Sequence, residues 1–348
     1  MDLRDLRIAV VGTGANGASV GADLIAAGLD VTFIEQWPAH VEAMCADGLT
    51  VHLPTETTVT PVRAYHLCEV AEIRTTFDLV FLSVKTYDTR WACELVRPLL
   101  HADSVVVGLQ NGMTLDTVAD VVGPERSIGA VLGIAANMFQ PGIVVRQVPQ
   151  EGTWFAVGTM DGSSSERLEQ VAAVLRSAAV TEISDNIRAS KWMKLLANIP
   201  EMLPSAILNV PLLTAVEFPG VRAVMDESSR EAYALARDLG VPMLPIFGKT
   251  VAEVLPTDQY ALDLLDAVLE KYSLPDTRVA VLQDWDKGRR AELDAFNGYI
   301  VAARAHLGGR VPVNEAILQI AERIESGALT PSPDNVGLLL RAGTEVAA

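Results

Sequence analysis

A glycine-rich hexapeptide between a predicted strand and a predicted helix constrains this sequence more than any other feature. The apolar run at residues 8–11 leads directly into the motif, which reads Gly12, Thr13, Gly14, Ala15, Asn16 and Gly17. In a GxGxxG turn the first glycine permits a tight turn, the second admits a pyrophosphate close to the backbone, and the third lets the helix pack against the sheet. Free N–H groups at the start of that helix then bind phosphate. All six residues are therefore predicted to bind a dinucleotide.

An acidic residue, Glu35, ends the second predicted strand, residues 31–34. A carboxylate at this point accepts hydrogen bonds from both ribose hydroxyls of an adenosine. It would repel a 2′-phosphate unless an arginine or lysine lay close by, and residues 36–40 contain neither. We therefore predict NAD(H) in preference to NADP(H). The alternative is that Glu35 turns outward and that a distant arginine reaches the phosphate.

The chain divides into two predicted parts. Up to about residue 184, helical patterns alternate with continuous apolar runs, among them residues 79–84 and 105–109. Continuous apolar strands favour a parallel sheet that is covered on both faces, so residues 1–184 are predicted to form a doubly wound α/β domain. Long amphipathic segments follow, which predicts an all-helical domain at 185–330. We interpret residues 331–348, which contain two prolines in three residues, as a loosely held tail.

The composition excludes several functional classes. Half of the 348 residues are hydrophobic, which is typical of a compact globular protein, and the net charge of −17 argues against a nucleic-acid partner. The three cysteines lie far apart, so neither a disulfide framework nor a zinc site is expected. We expect neither a signal peptide nor a membrane-spanning segment, and hence a cytoplasmic protein without a membrane partner.

Polar residues follow two of the predicted strands. Lys85 comes directly after the run at 79–84, and Asn111 lies in a Gln-Asn-Gly turn after the run at 105–109. In a doubly wound sheet both positions lie at the edge that faces the ligand. We therefore predict that Lys85 and Asn111 lie near the cofactor, although a turn asparagine needs no function.

The predicted helical domain supplies the candidates for acid–base chemistry. Lys194 and Asn198 are four residues apart, which places them on one helix face among apolar neighbours. Partial desolvation would lower the pKa of Lys194 toward the range of a proton donor. The alternative is an ordinary lysine on an amphipathic helix. Glu292 falls near the start of a predicted long helix, where a carboxylate often only complements the helix dipole.

The ordered set of motifs resembles the ketopantoate reductase (2-dehydropantoate 2-reductase) family over residues 7–325. After the glycine turn, the matching motifs are Ser83-Val84-Lys85-Thr86, Gln110-Asn111-Gly112, Lys191-Trp192-x-Lys194-x-x-x-Asn198, Leu282-Gln283-Asp284-x-x-x-Gly288-Arg289-x-x-Glu292-x-Asp294, Asn297-Gly298 and Pro312-x-Asn314. The resemblance implies an N-terminal Rossmann domain, a helical domain like that of 6-phosphogluconate dehydrogenase, and an active site in the cleft between them. It also implies a homodimer, and hydride transfer between a nicotinamide and a 2-oxo or 2-hydroxy acid.

The resemblance also assigns roles to single residues. It implies that Lys194 is the general acid and that Glu292 contacts cofactor and substrate. Asn111 would lie between nicotinamide and substrate, and Asn198 would bind substrate. The remaining cofactor contacts would be made by Lys85 and by the backbone amide of Ala135.

Three positions depart from the family pattern. Where family members that act on ketopantoate carry polar groups, this sequence has Met202, Leu212 and Ala280, of which Met202 and Ala280 occupy positions predicted to bind substrate. The sequence therefore predicts that the protein carries out the family's hydride transfer, with either ketopantoate or a more apolar 2-oxo acid as the substrate. Glu35 also departs from the family, because ketopantoate reduction in it ordinarily uses NADPH. The remaining alternatives are an enzyme like an opine or 3-hydroxy acid dehydrogenase, and a non-catalytic dinucleotide sensor.

Overall fold

The computed structural model describes residues 2–254 and 257–344. The strands in these ranges are β1 Arg7–Val11, β2 Asp30–Glu35, β3 Leu49–His52, β4 Thr57–Thr60, β5 Arg63–His66, β6 Phe77–Leu82, β7 Leu100–Gly108, β8 Ser127–Gly133, β9 Ala136–Gln140, β10 Ile143–Arg146, β11 Trp154–Thr159 and β12 Val180–Ile183. The helices are α1 Ala15–Ala26, α2 Pro38–Asp47, α3 Thr89–Val96, α4 Leu115–Val122, α5 Glu166–Leu175, α6 Ile187–Leu208, α7 Leu212–Ala215, α8 Val221–Asp238, α9 Gln259–Lys271, α10 Ala280–Asp286, α11 Asn297–His306, α12 Pro312–Glu325 and α13 Val336–Thr344.

An eight-stranded sheet organises the first unit, in the order β12-β11-β8-β7-β6-β1-β2-β5. Its strands pair in parallel except for β11 with β8. The six strands from β5 to β8 have the order of a Rossmann sheet. The order in which successive strands are added reverses between β1 and β6, because β2 and β5 lie on one side of β1, and β6, β7 and β8 lie on the other. The carboxyl ends of β1 and β6 therefore flank the crevice where such folds bind ligands.

The strands are buried on both faces, as their continuous apolar sequences predict. On one face Val10, Phe81 and Val107 belong to a single core. On the other face Ala9 and Val80 belong to a second core. Because side chains alternate along a strand, a run of apolar residues fills both cores at once. The predicted doubly wound domain is confirmed.

A second sheet, of the order β4-β3-β10-β9, was not predicted from the sequence. Its strands are short and partly polar, and Thr57–Thr60 is mostly exposed, so neither length nor burial gave a clear pattern. Arg146 anchors this sheet: it forms a buried ion pair with Asp23 of α1 and donates to the Thr153 hydroxyl at 2.9 Å. Burial raises the pKa of Asp23, and the Arg146 charge opposes that rise.

The second unit is helical, and its boundary lies between Lys191 and Trp192, within α6. This is seven residues later than the predicted boundary after residue 184. The first turn of α6 packs in the first unit, because Gly129 leaves room for Ile187 and the Lys191 amine donates to carbonyls of that unit. Within the described ranges, no helix is long and apolar enough to cross a membrane.

The prediction of a loose tail at 331–348 is wrong for the residues that the structure describes there. Ser332 accepts a hydrogen bond from the Asp334 N–H and starts a helical turn that leads into α13. That helix packs against α8 and α12 and buries Leu339 and Ala342. Pro333 therefore begins a packed element rather than a tail. Residues 345–348 lie outside the described residues.

Candidate active site

The glycine turn joins β1 to α1, and its three glycines are required for different reasons. Gly12 has a φ of +84°, and a Cβ there would lie 2.8 Å from Val84 Cγ1. A Cβ on Gly17 would lie 2.2 Å from the Gly12 carbonyl oxygen. A Cβ on Gly14, in contrast, would meet no described atom within 4 Å. Protein packing does not demand glycine at position 14, so the close approach of a ligand is the remaining physical reason.

The N-terminus of α1 is also free to receive an anion. Gly14 is the capping residue, and no side chain of residues 2–254 and 257–344 accepts a hydrogen bond from the first-turn N–H groups there. Unsatisfied N–H groups and the positive end of the helix dipole together bind phosphate. The residues present therefore fit the pyrophosphate of a dinucleotide.

Glu35, at the end of β2, is buried and fully hydrogen-bonded. One carboxylate oxygen accepts from the Thr13 N–H at 2.5 Å and from the Thr13 hydroxyl at 3.0 Å. The other accepts from the N–H groups of Gln36 and Trp37, both at 2.9 Å. A carboxylate has about four acceptor positions, and here four donors fill them. The geometry thus favours a role for Glu35 other than the predicted contact with ribose.

His40, on α2, links the glycine turn to the second sheet, and sequence analysis missed it. Its Nδ1 accepts a hydrogen bond from the Gly142 N–H at 2.8 Å. Its Nε2 therefore carries the proton, which it donates to the Thr13 carbonyl at 2.9 Å. The ring is fully buried. Because His40 and Gly142 are 102 residues apart, no local pattern indicated this contact.

A hydrogen-bonded clamp joins the carboxyl ends of β6 and β7 to the middle of β8. The Gln110 side-chain amide donates to the Val84 carbonyl at 2.8 Å and to the Thr89 hydroxyl at 2.9 Å. The Lys191 amine donates to the carbonyls of Gln110 at 3.0 Å and Ala130 at 3.2 Å. Burial lowers the pKa of Lys191 to about 8.

Two of the residues predicted to lie near the cofactor directly follow residues of this clamp. Lys85 directly follows Val84, and Asn111 directly follows Gln110; both are partly exposed. Ala135 lies between β8 and β9, and its carbonyl accepts from the Gln147 N–H at 2.8 Å. The structure therefore places Lys85 and Asn111 at the edge of the sheet that carries the glycine turn, as the sequence predicts.

Lys194 lies on α6 in the second unit, under an aromatic ring. Its Nζ is 5.1 Å from the centroid of Phe247, within the range of a cation–π interaction. Among the described residues, no hydrogen-bond or ion-pair partner approaches this amine. Burial lowers the pKa of Lys194, and the charge of Glu201 opposes that change. Asn198, one turn further along α6, is fully buried.

Glu201 is a second residue that sequence analysis missed. It follows Lys194 by seven residues and Asn198 by three, so all three occupy one face of α6. Its side chain is only 4% exposed. Burial raises the pKa of Glu201 to about 7, while the charge of Lys194 acts in the opposite direction. The signal was the extension of the helical spacing by one further turn.

Phe247 holds an unusual backbone conformation. Its φ is +60°, in the left-handed region that a bulky residue rarely adopts, and Gly248 follows with a φ of +71°. Its ring also contacts Tyr272, with centroids 5.0 Å apart. Strained residues of this kind persist where the surrounding structure holds them, often at functional sites. Here the strain places an aromatic ring over the Lys194 amine.

Of the three departures from the family pattern, two are buried and one is partly exposed. Met202 and Leu212 are buried, and Ala280 is the first residue of α10. Glu292 is buried in a short helical turn before α11, not in the first turn of a long helix as predicted. The chain interrupts the predicted helix at Phe296, whose φ and ψ are both −112°.

Asn314, the last residue of the motif list, has a structural role. Its side-chain oxygen accepts from the Ser228 hydroxyl at 2.9 Å and from the Asn297 amide at 2.8 Å. Its amide donates to the Glu231 carboxylate at 2.8 Å. This hydrogen-bond network ties α8, α11 and α12 together, so no catalytic or binding role is needed to explain this asparagine.

Comparison with known proteins decides the family. A sequence model described as ketopantoate reductase PanE/ApbA matches residues 8–159, and the model of its C-terminal domain matches residues 186–325. The chain belongs to the ketopantoate reductase family. This confirms the predicted family, the predicted fold class and the prediction of an oxidoreductase.

Individual ketopantoate reductases are similar over nearly their whole length. A 2-dehydropantoate 2-reductase of Mesorhizobium japonicum is 28% identical over 345 residues, covering 92% of this chain and 98% of that protein. The crystal structure of a PanE/ApbA family ketopantoate reductase from Ralstonia eutropha JMP134 superimposes with a TM-score of 0.77 at 29% identity, covering 92% and 99%. A D-mandelate dehydrogenase solved with NADH and anilino(oxo)acetate has a TM-score of 0.80 at 18% identity, with coverage of 92% and 99%, and shows the shared fold.

Proposed function

We propose that this protein reduces the ketone of a 2-oxo acid with NADH, and that Lys194 is the general acid. The observation that carries the proposal is the Lys194 amine, which is held under Phe247 with no hydrogen-bond partner in the described part of the chain. An ammonium that the fold leaves unsatisfied is ready to bind a substrate oxygen. The bound nicotinamide would supply the hydride.

The residues of this chain would then stabilise the negative charge that forms on the substrate oxygen and donate a proton to it. As the ketone carbon gains a hydride, its oxygen becomes an alkoxide, which the Lys194 ammonium stabilises and then protonates. The lowered pKa of Lys194 eases this proton transfer. Asn198 and Asn111 would bind the substrate, and Glu292 would contact cofactor and substrate.

The preference for NADH is supported by the saturated carboxylate of Glu35. The four donors around it, two from Thr13 and one each from Gln36 and Trp37, are a site that would otherwise suit an anion. The carboxylate fills this site from within the protein. A 2′-phosphate would find its donors already used and a negative charge in their place.

The substrate is proposed to be ketopantoate or a 2-oxo acid with a more apolar side chain. Met202, Leu212 and Ala280 each lose a polar group that the family resemblance implies for ketopantoate, which favours the second possibility only if no other side chain of the helical unit supplies a polar contact. By family resemblance we further propose a homodimer, and we keep the prediction of a cytoplasmic location as a proposal; light scattering of the purified protein would test the dimer.

The deciding experiment is a panel of 2-oxo and 2-hydroxy acids, followed at 340 nm with NAD(H) and NADP(H) separately. We expect turnover of 2-oxo acids with NADH and a decrease in kcat of about 10²- to 10⁴-fold in Lys194→Met. NADH binding by fluorescence should be unchanged in that variant. The matched control is Lys271→Met, at an exposed lysine. Turnover only with an added amine would indicate an opine dehydrogenase, and NADH binding with no turnover would indicate a sensor.

A further inference from the structure

The face of α6 that carries Lys194 ends in a carboxylate that the proposed reaction does not use. Lys194, Asn198 and Glu201 follow one another at spacings of four and three residues, so Glu201 and Asn198 are direct neighbours on the helix surface. The proposed chemistry needs only a proton donor and a group that binds substrate on this face. Glu201 therefore requires a separate explanation.

The surroundings of Glu201 do not satisfy its carboxylate. In the described ranges no donor forms a hydrogen bond with it, although it is almost fully buried. Lys194 acts on it through charge, without a hydrogen bond or a contact ion pair. Buried polar groups normally find hydrogen-bond partners, because leaving one unpaired costs the free energy of its lost hydration.

Glu231, a partly buried carboxylate of the same unit, has hydrogen-bond partners of the usual kind. Its oxygens accept from the N–H groups of Val313 at 3.0 Å and Asn314 at 2.9 Å, and from the Asn314 amide. Glu231 thereby joins α8 to the start of α12 and has an evident structural role. Glu201 makes no such link, so a structural explanation that suffices for Glu231 does not apply to it.

We propose that Glu201 determines substrate specificity by accepting a hydrogen bond from a hydroxyl group on the side chain of the 2-oxo acid. This proposal rests on the proposed function. A hydroxyl fits better than an ammonium, because a cationic substrate would place a second positive charge near Lys194. The carboxylate also disfavours 2-oxo acids that carry a second carboxylate, through repulsion of like charges.

Two substrates that differ in one hydroxyl group test this proposal. Ketopantoate is 3,3-dimethyl-2-oxobutanoate with a hydroxyl on one terminal carbon, so the two acids share their reacting groups and branching. We expect kcat/KM of the unmodified protein to favour the hydroxylated acid by about 10- to 100-fold. In Glu201→Leu that ratio should fall to near one, through loss on the hydroxylated acid alone.

The variants are designed to separate recognition from other effects of Glu201. Glu201→Gln keeps an acceptor oxygen and should retain part of the preference, and Glu270→Gln, at an exposed glutamate of α9, is the matched control. Retained NADH binding and an unchanged circular dichroism spectrum would show that each variant is folded. Oxaloacetate should be a poorer substrate than either monocarboxylate, and should improve in Glu201→Leu.

Several results would overturn the proposal. A ratio that stays the same in Glu201→Leu, or losses that are equal for both substrates, would show that Glu201 does not recognise the hydroxyl. Equal losses together with a basic limb of the pH profile moved to lower pH would show instead that it acts through Lys194. If the unmodified protein reduces no 2-oxo acid, the proposed function fails first and this proposal falls with it.

Discussion

Two buried carboxylates, one in each unit, show how differently the two halves of this protein are prepared for their ligands. Glu35 is 6% exposed and accepts four hydrogen bonds from neighbouring groups. Glu201 is 4% exposed and has no hydrogen-bond donor in the described part of the chain. The two carboxylates are buried to a similar extent, but only Glu35 has its hydrogen-bond acceptors filled. The carboxylate beside the glycine turn is satisfied by the fold itself, whereas the carboxylate on the lysine-bearing face of α6 is not.

The lysines repeat this contrast. Lys191 donates to two carbonyls of the first unit, and Lys194, three residues later, has no such partner among the described residues. Both have pKa values lowered by burial. A lysine with fixed acceptors serves to hold structure, while one without them is available to bind and protonate an oxygen. Perturbed pKa values alone would not have separated the two roles.

The largest expected change in cofactor preference comes from opening the site that Glu35 fills. Glu35→Ser frees the four surrounding donors and removes the negative charge, so the ratio of kcat/KM for NADPH to that for NADH should rise by about 100-fold. Glu35→Arg adds a positive charge and should also favour NADPH. The measurement is steady-state kinetics with each cofactor, and the control is Glu42→Ser, at an exposed residue of α2. Unchanged KM values for both cofactors would contradict the proposed role.

A pH-dependent effect on stability is expected when Lys191 is made apolar. The pKa of Lys191 is about 8 in the folded protein and ordinarily 10.5, so between these pH values the unfolded chain binds more protons. The free energy of unfolding should therefore rise with pH across this window, by up to about 3 kcal/mol from this residue. In Lys191→Met that part of the rise should be absent.

Urea denaturation of both proteins between pH 7.5 and 10.5 would measure this difference. Because every other titrating group is common to the two proteins, the difference between their curves isolates Lys191. Parallel curves would show that its amine titrates normally. Lys194→Met provides the comparison with the neighbouring lysine that lacks fixed acceptors.

The sequence predicted best what depends on local patterns. The continuous apolar strands and the GxGxxG turn predicted the doubly wound sheet, and helical spacing placed Lys194 with Asn198 on one face. The same spacing extends to Glu201, which was overlooked because carboxylates on helices usually face solvent. His40 and the Lys191 clamp join segments distant in the chain, and no local pattern shows such contacts. The tail was mispredicted because a proline that begins a helix resembles one that breaks structure.

Variants of His40 test whether the glycine turn needs the hydrogen bonds that link it to the second sheet. His40→Ala removes the hydrogen bonds to Thr13 and Gly142, and should raise KM for NADH about tenfold while kcat changes little. Two conservative variants separate these bonds. The amide of Gln reaches the position of Nε2 and can donate to Thr13, whereas that of Asn reaches the position of Nδ1 and can accept from Gly142.

If the Thr13 bond positions the glycine turn, His40→Gln should restore most of the affinity for NADH and His40→Asn should not. KM values and fluorescence titration with NADH are the measurements. Equal loss in both variants together with a lower Tm would show that His40 stabilises the fold without positioning the cofactor. The reverse ranking would assign the effect to the Gly142 contact.

The smallest expected effect comes from adding one hydroxyl group to the helical unit, at position 280. Ala280→Ser restores the hydroxyl that the family resemblance assigns to the substrate carboxylate, at the partly exposed first position of α10. A hydrogen bond to a charged group should raise kcat/KM for ketopantoate by up to about tenfold. Because every 2-oxo acid carries this carboxylate, 3,3-dimethyl-2-oxobutanoate should gain equally. The substitution would thus change how tightly the acid group is held without changing the preference that we assign to Glu201. A gain confined to the hydroxylated acid would place the new hydroxyl beside the substrate side chain instead, and no gain for either would remove Ala280 from the site.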